Sequence, residues 1–335
     1  MRHKVAGILV LLLACPVFWA WLGYQDALYM PVVTGNPVTV EIAKGDSFAR
    51  ITDKLLEQQL PLNPVWFKLL ALQDDAFKRL KTGEYELAPG LTMQGILALL
   101  MSGKTKQYAI TFPEGWNYQQ IRQEIEKNPH LDHTLKEGDA VSLMAKLGAQ
   151  IPHPEGAFFP DTYFFEKHTT DFALLQRAYV KMQTIIDQEW AKKAENLPYK
   201  NVYEALIMAS IVEKETAAKP ERSQIAGVFV RRLQQGMRLQ TDPTVIYGIG
   251  EAYQGNITYK DLRALTPYNT YVIAGLPPTP IAMPGREAIN AALHPDNSDN
   301  LYFVARGDGT HVFSASLKAH NLAVDNYQRK KHDTR

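Results

Sequence analysis

From Ala205 to Gly248 the chain reads ALIMASIVEKETAAKPERSQIAGVFVRRLQQGMRLQTDPTVIYG, and no other stretch limits the fold as tightly. Met208, Ile211 and Val212 recur three and four apart, the spacing of a helix with an enclosed stripe, and Glu213 and Glu215 fall in its last turn. Residues two apart on a helix point about 200° apart, so only one glutamate can share the stripe. Glu215 continues it, whereas Glu213 extends the side of Leu206, Ala209 and Ser210. Glu215 is therefore expected to be half buried. Desolvation raises a carboxyl's pKa, and a neutral acid at working pH is what protonation of a leaving oxygen requires. Periodicity alone leaves a second reading open, in which both glutamates sit on a solvated helix end.

The rest of the stretch predicts a wall opposite that helix. Pro220 suits the first turn of a second helix with an apolar line at Ile225, Val228, Phe229 and Leu233, and Gly236 supplies its stop. Asp242 is placed to cap a short helix that begins at Pro243.

At the N-terminus, Met1-Arg2-His3-Lys4 precedes an unbroken apolar run of nineteen residues, Val5 to Gly23. That length crosses the hydrocarbon core as a helix, and Arg2 and Lys4 keep the start of the chain cytoplasmic. The expected layout is a stub at 1–4, a single-pass transmembrane anchor at 5–23 and a linker at 24–36, with the remainder exported across the inner (cytoplasmic) membrane. A cleaved signal peptide is a rival, but Phe18-Trp19-Ala20-Trp21-Leu22 offers no small-x-small site. Leu12-Leu13-Ala14-Cys15 resembles a lipobox only loosely, and Pro16 to Leu22 would make an oddly apolar start for a mature lipoprotein.

Charge and cysteine exclude several classes. With 36 basic and 35 acidic residues there is no nucleic-acid footprint. Cys15 is the lone cysteine, so an exported part relies on no disulfide and no thiolate metal site. The nine histidines contain no H-E-x-x-H, and His311 and His320 lie nine apart. Neither a metal nor any other cofactor is expected.

After the linker, Val38 to Ile42 alternates as a strand and Ser47 caps a helix reaching about Gln58. Pro64 opens another helix, Leu80 to Leu87 reads as a strand, and Thr92 caps a third helix ending near Gly103. This strand, helix, helix, strand order with a Gly-Asp-Ser turn resembles a LysM-like fold, a module that grips glycans containing N-acetylglucosamine. The module is set at 37–105, and a larger domain at 106–335. In the larger domain a strand is expected at 108–112 and a helix from Tyr118 to about Lys127. The segment from Pro154 to Tyr163 reads as a packed aromatic turn, with a carboxylate-bearing, ring-stacking loop as its alternative. Asp171 is expected to cap a long helix to about Lys193, with Asn201 leading into the helix of Glu215. Turns punctuate 266–271 and 275–280, where Asn269, Thr270 and Tyr271 suit hydrogen bonds to sugar hydroxyls or simply turn formation. Gly285 to Leu293 is a helix, 301–313 a hairpin, and Ser316 to Lys330 a closing helix.

The E-K-E-T at Glu213, the R-L-Q-T-D-P-T-V-I-Y-G run, Y-N-T-Y, G-L-P-P-x-P-I and the terminal H-x-F with H-N resemble the YceG-like (MltG) family of endolytic murein transglycosylases. The E-G-x-x-x-P-D-T-Y segment at Glu155 to Tyr163, the anchor and the LysM-like module fit the same family in the same order. The resemblance implies an α+β fold with a YceG-like catalytic domain facing the periplasm, and Glu215 as the catalytic acid. It also implies cleavage of the bond between N-acetylmuramic acid and N-acetylglucosamine within strands, leaving 1,6-anhydro ends, and association with cell-wall synthases. Gln240, Thr241, Tyr247, Tyr268, Asn269 and Tyr271 are candidates for gripping the glycan, with Glu213 and Asp242 as supporting charges. Two alternatives stay open: a lysozyme-type hydrolase with Asp242 as second carboxylate, which the usual two-carboxylate chemistry would need, and a non-catalytic anchored scaffold.

Overall fold

The computed structural model describes residues 2–136, 138, 140–151 and 153–329, with side chains from Ala14 onward as far as Gln328. The chain divides into two compact units, Met1–Tyr108 with Phe164–His168, and Ala109–Tyr163 with Thr169–Arg335.

The first unit begins with helix α1 (Arg2–Tyr29), which contains Pro16. Among the described residues no helix is long and apolar enough to cross a membrane. The side chains at 5–13, the first part of the expected 5–23 span, lie outside the described set. From Val17 on, α1 leaves Phe18, Trp19 and Trp21 exposed, whereas its end is anchored: Ala27 is buried and the Tyr24 ring lies 6.2 Å from Trp66.

Strand β1 (Val38–Ile42), helices α2 (Phe48–Glu57) and α3 (Pro64–Gln73), strand β2 (Gly83–Leu87) and helix α4 (Met93–Ser102) follow. β1 pairs antiparallel with β2, Val40 opposite Tyr85. The helices start where polar caps stand: Ser47 accepts from Arg50 N, Asn63 from Val65 N with Pro64 next, and Thr92 from Gly95 N. The strand expected from Leu80 starts only at Gly83. Leu55, Phe67, Tyr85, Leu87 and Leu97 fill the core, each worth roughly 2 kcal/mol or more of apolar burial. Lys167, from the later 164–168 segment of this unit, binds Glu41 at 2.6 Å and Glu84 at 3.3 Å, and Tyr108 donates to Glu84.

The remaining elements are β3 (Gln107–Thr111), α5 (Tyr118–Lys127), β4 (Leu131–Asp132), α6 (Ala140–Lys146), β5 (Thr162–Glu166), β6 (Thr169–Thr170), α7 (Asp171–Trp190), α8 (Val202–Glu215), α9 (Arg222–Gln234), α10 (Asp242–Ile249), α11 (Tyr259–Arg263), α12 (Arg286–Leu293), β7 (Tyr302–Ala305), β8 (His311–Ser314) and α13 (Leu317–Val324). β3 pairs with β5, β4 runs parallel to β6, and β7 and β8 form the expected hairpin. A short π-helical stretch, Asp325–Arg329, follows α13, and Lys330 lies outside the described residues.

Two aspartates expected as caps each stand one residue inside the helix instead. Thr170, not Asp171, caps α7. The Asp171 carboxylate turns away to accept from Thr134 N, Thr134 Oγ1 and Leu135 N. Likewise Thr241 stands at the cap position of α10, and Asp242 is already its first residue.

At the centre of the second unit, α8 is buried at every position from Ala205 to Val212, enclosed by α7, α9, α10 and α12. The expected apolar stripe is therefore a helix apolar on all sides, which marks it as interior. Asn201 caps its start. Ser210, the one hydroxyl inside, donates to Ile207 O and accepts from Ile281 N, so its burial leaves no polar atom unpaired.

Candidate active site

The two glutamates at the end of α8 diverge as the 200° argument requires, but neither is solvated. The Glu213 side chain is 5 % exposed. Its Oε1 accepts from Arg222 Nη2 at 2.9 Å and its Oε2 from Gly285 N at 2.8 Å. Arg222 also binds Glu287 at 3.0 Å, so α8, α9 and α12 meet at one buried guanidinium. Burial raises the Glu213 pKa; the Gly285 amide and Arg222 oppose it, while Glu114 and Glu287 add to it. With both oxygens engaged by protein, Glu213 serves to fix the last turn of α8.

Glu215 faces the other way, toward the loop before α10. Its Oε2 accepts from Thr241 Oγ1 at 3.0 Å. Burial pushes its pKa up to about 7; the Thr241 donor and Arg232 lower it and Asp242 raises it. The residue as a whole is of intermediate exposure, while its carboxyl is desolvated enough to hold a proton near neutrality.

The loops behind Glu215 are held by an internal set of hydroxyls and amides. Gln240 adopts a left-handed conformation (φ 52°), and its N–H donates to Thr270 O. Thr241 N donates to Thr270 Oγ1 at 3.1 Å, and Thr244 Oγ1 donates to Thr241 O at 2.8 Å. Asn269 is 1 % exposed. Its amide donates to three carbonyls, of Asp261, Leu262 and Ala264, and its oxygen accepts from Tyr271 N. Of the two sequence readings of Asn269, turn former and sugar ligand, the geometry realises the turn former. Tyr271 OH donates to Asp242 Oδ1 at 2.6 Å, which gives Asp242 a tertiary partner in place of a capping role. Arg232 reaches Leu239 O and Leu301 O and lies over the Tyr302 ring at 5.2 Å, with His320 stacked on the same ring.

Tyr247 and Tyr268 stand together, ring centroids 4.8 Å apart. They line a groove of about 1020 Å³ with Asn117, Gln120, Glu155, Lys214 and others. Lys214 brings the groove to the end of α8, although Glu215, Thr241 and Tyr271 are not among its lining residues. Of the expected glycan-gripping set, Tyr247 and Tyr268 face this groove, and Gln240 and Asp242 are exposed beside Thr241.

Glu155 is the residue that the reading of 154–163 as a packed aromatic turn passes over. Phe158 and Phe159 do pack inside, but Glu155, 3 % exposed, accepts from Tyr118 N at 3.0 Å and Tyr247 OH at 2.9 Å. Burial lifts its pKa to about 7 against those donors. Gly156 makes room: its φ is +76°, and a Cβ there would meet Pro280 at 2.6 Å. A carboxylate bracketed by apolar residues in E-G-A-F-F-P was the available signal.

Fold and site together define a two-unit α+β protein with a desolvated carboxylic acid at the end of an interior helix. This chain belongs to the YceG-like family, whose sequence model matches residues 40–326. It is 33 % identical over 329 residues to an endolytic murein transglycosylase of Bacillus subtilis (strain 168), covering 92 % of this chain and 91 % of that one. A protein of the same description from Streptococcus pneumoniae is 30 % identical over 85 % of this chain and 58 % of its own length. The crystal structure of a yceG-like protein from Listeria monocytogenes superposes with a TM-score of 0.56 at 32 % identity, covering 86 % of this chain and 98 % of that one.

Proposed function

We propose that the protein is a lytic transglycosylase that cuts peptidoglycan glycan strands internally, between N-acetylmuramic acid and N-acetylglucosamine, with Glu215 as its acid and base. The observation that carries this reading is the Glu215 carboxyl, pushed to about 7 by burial while one oxygen receives the Thr241 hydroxyl. Protonated, Glu215 gives its proton to the glycosidic oxygen as the bond to the anomeric carbon breaks. The 6-hydroxyl of the same muramic residue then attacks that carbon, and its proton passes to the Glu215 carboxylate. The products are a 1,6-anhydro end and a free 4-hydroxyl, and no water is consumed. Thr241 assists the first half, because its hydrogen bond favours the charged form that proton donation leaves behind. An intramolecular nucleophile explains how one carboxyl suffices, since holding it in place is worth roughly 7 to 11 kcal/mol.

The names of the Bacillus and Streptococcus relatives support the reaction class. Tyr247 and Tyr268, with Gln240 and Asp242 at the rim, are the residues we assign to the strand. The strand, helix, helix, strand order of the first unit supports a LysM-like glycan-binding role for it, and the exposed Phe18, Trp19 and Trp21 of α1 support anchorage in the inner membrane with the Glu215 unit outside the cytoplasm. Cell-wall synthases are the partners this placement suits.

Digestion of murein sacculi followed by mass spectrometry tests the reading. It requires anhydro products from the wild type and none from Glu215→Gln. Products that carry an added water identify a hydrolase instead, with Asp242, which acts electrostatically on Glu215, as its second carboxylate.

A further inference from the structure

The groove beside α8 contains a carboxyl that the chemistry just described does not use. Glu155 is buried, lines the groove, and is met by hydrogen-bond donors only: Tyr247 OH, Tyr118 N and Gly156 N. Among the described residues no ion pair to it is recorded. A buried carboxyl without a cation is expensive to keep, and an apolar side chain of similar size would pack the same loop at lower cost. What it secures is one tyrosine. Tyr247 comes from α10, the helix that starts at Asp242, and its hydroxyl is fixed by Glu155 Oε2 at 2.9 Å while its ring leans on Tyr268. Tyr268 is fixed in turn by Thr279 Oγ1 at 2.9 Å, which donates to Pro280 O. Two rings are thus locked into one wall, and Asn117 and Gln120, whose side-chain oxygens close the capping box of α5, line the same groove with their amide NH2 groups left to donate. Aromatic faces with amide donors in one groove are what a pyranose ring and its acetamido substituent require: the ring stacks and the acetamido oxygen accepts.

We propose that Glu155 is a positioning residue that holds Tyr247 against Tyr268 to form an N-acetylhexosamine subsite in this groove. The inference deepens the transglycosylase reading and rests on it for the identity of the sugar. Glu155 acts through Tyr247 and touches no reacting atom. Tyr118 fixes the other carboxyl oxygen, because its N–H donates to Glu155 Oε1 while its own ring stacks on Phe158 at 5.8 Å.

Binding of a fluorescently labelled tetrasaccharide of alternating N-acetylglucosamine and N-acetylmuramic acid to the full-length chain tests this, in a Glu215→Gln background that prevents turnover. Glu155→Gln and Tyr247→Phe should each weaken binding by about five-fold, the loss of one positioning hydrogen bond. The double variant should be no weaker than the weaker single, because both remove the same link. Unchanged affinity in Tyr247→Phe, or losses that multiply in the double variant, would overturn the proposal. Should Glu155→Gln fail to fold, Tyr247→Phe still decides, since it leaves the carboxyl in place. Product analysis of the same mixtures keeps the two readings apart: cleavage in the Glu215→Gln background refutes the reaction assignment, and affinity is then compared on the uncleaved ligand at early times.

Discussion

Thr241 donates its hydroxyl to Glu215 Oε2 at 3.0 Å from a position only 1 % exposed, and its own backbone N–H is held by Thr270 Oγ1. The hydroxyl is therefore pre-aimed, and it stabilises the carboxylate rather than the acid. Thr241→Val keeps the shape and removes the donor. We expect the Glu215 pKa to rise further, the alkaline limb of kcat against pH to move to higher pH, and kcat at neutral pH to fall about ten-fold as the carboxylate becomes a poorer product of the first step. A pH series of initial rates checks this; an unmoved limb refutes it.

Stability should also report the buried acids. Glu215 and Glu155 both titrate at about 7 when folded, against 4.5 as the ordinary value. A raised folded pKa means the native state holds the proton more tightly, so its stabilising effect is complete below about pH 4.5 and is lost as pH rises through 7. Each group contributes at most roughly 3 kcal/mol to that slope. Glu215→Gln should flatten the fall in stability between pH 5 and 8, measured by urea denaturation at each pH. An unchanged slope would place the titration elsewhere.

Glu213 and Arg222 predict a different failure. Their side chains are 5 % and 6 % exposed, and each is the other's buried counter-charge. Glu213→Leu takes away the buried carboxylate, leaving Arg222 only the more exposed Glu287 and Glu114 and leaving Gly285 N without its acceptor, and should cost about 3 kcal/mol. Thermal denaturation should show this loss, in contrast to Glu215→Gln, which should melt at least as high as the wild type near neutral pH.

Asn269→Ala removes a side chain that ties three carbonyls to one loop. Several buried acceptors lose their donor at once, so we expect a loss of about 2 to 3 kcal/mol. Activity should fall more than stability explains, because Gln240 N and Thr241 N hang from the neighbouring Thr270. Rates measured well below the melting transition separate the two effects.

Local rules carried the reading of the chain furthest where a cap and a period coincide. Ser47, Thr92 and Asn201 each begin a helix whose apolar spacing follows at once. Asp171 and Asp242 misled because a threonine stands immediately before each. The aspartates then took tertiary partners, Thr134 with Leu135 and Tyr271, that no local rule contains. β4 and β6 are two residues each and pair across nearly forty positions, so neither carries a period to read. At the site, the helical angle separated the directions of Glu213 and Glu215 but not their burial, because α8 has no solvated side there. Enclosure of Glu213 depended on Arg222 and Gly285, which arrive from α9 and the start of α12. Glu155 was hidden among aromatics whose packing is real.

With every face of α8 from Ala205 to Val212 walled in, the acid is mounted on a strut that cannot slide or roll without rebuilding the interior. Change is then channelled to the exposed positions of the 240–271 region, such as Gln240 and Asp242, which can be exchanged without disturbing the buried Thr241, Asn269 and Thr270, while the proposed proton donor stays where it is. Engineering of altered strand preference should begin on those positions and leave the strut untouched.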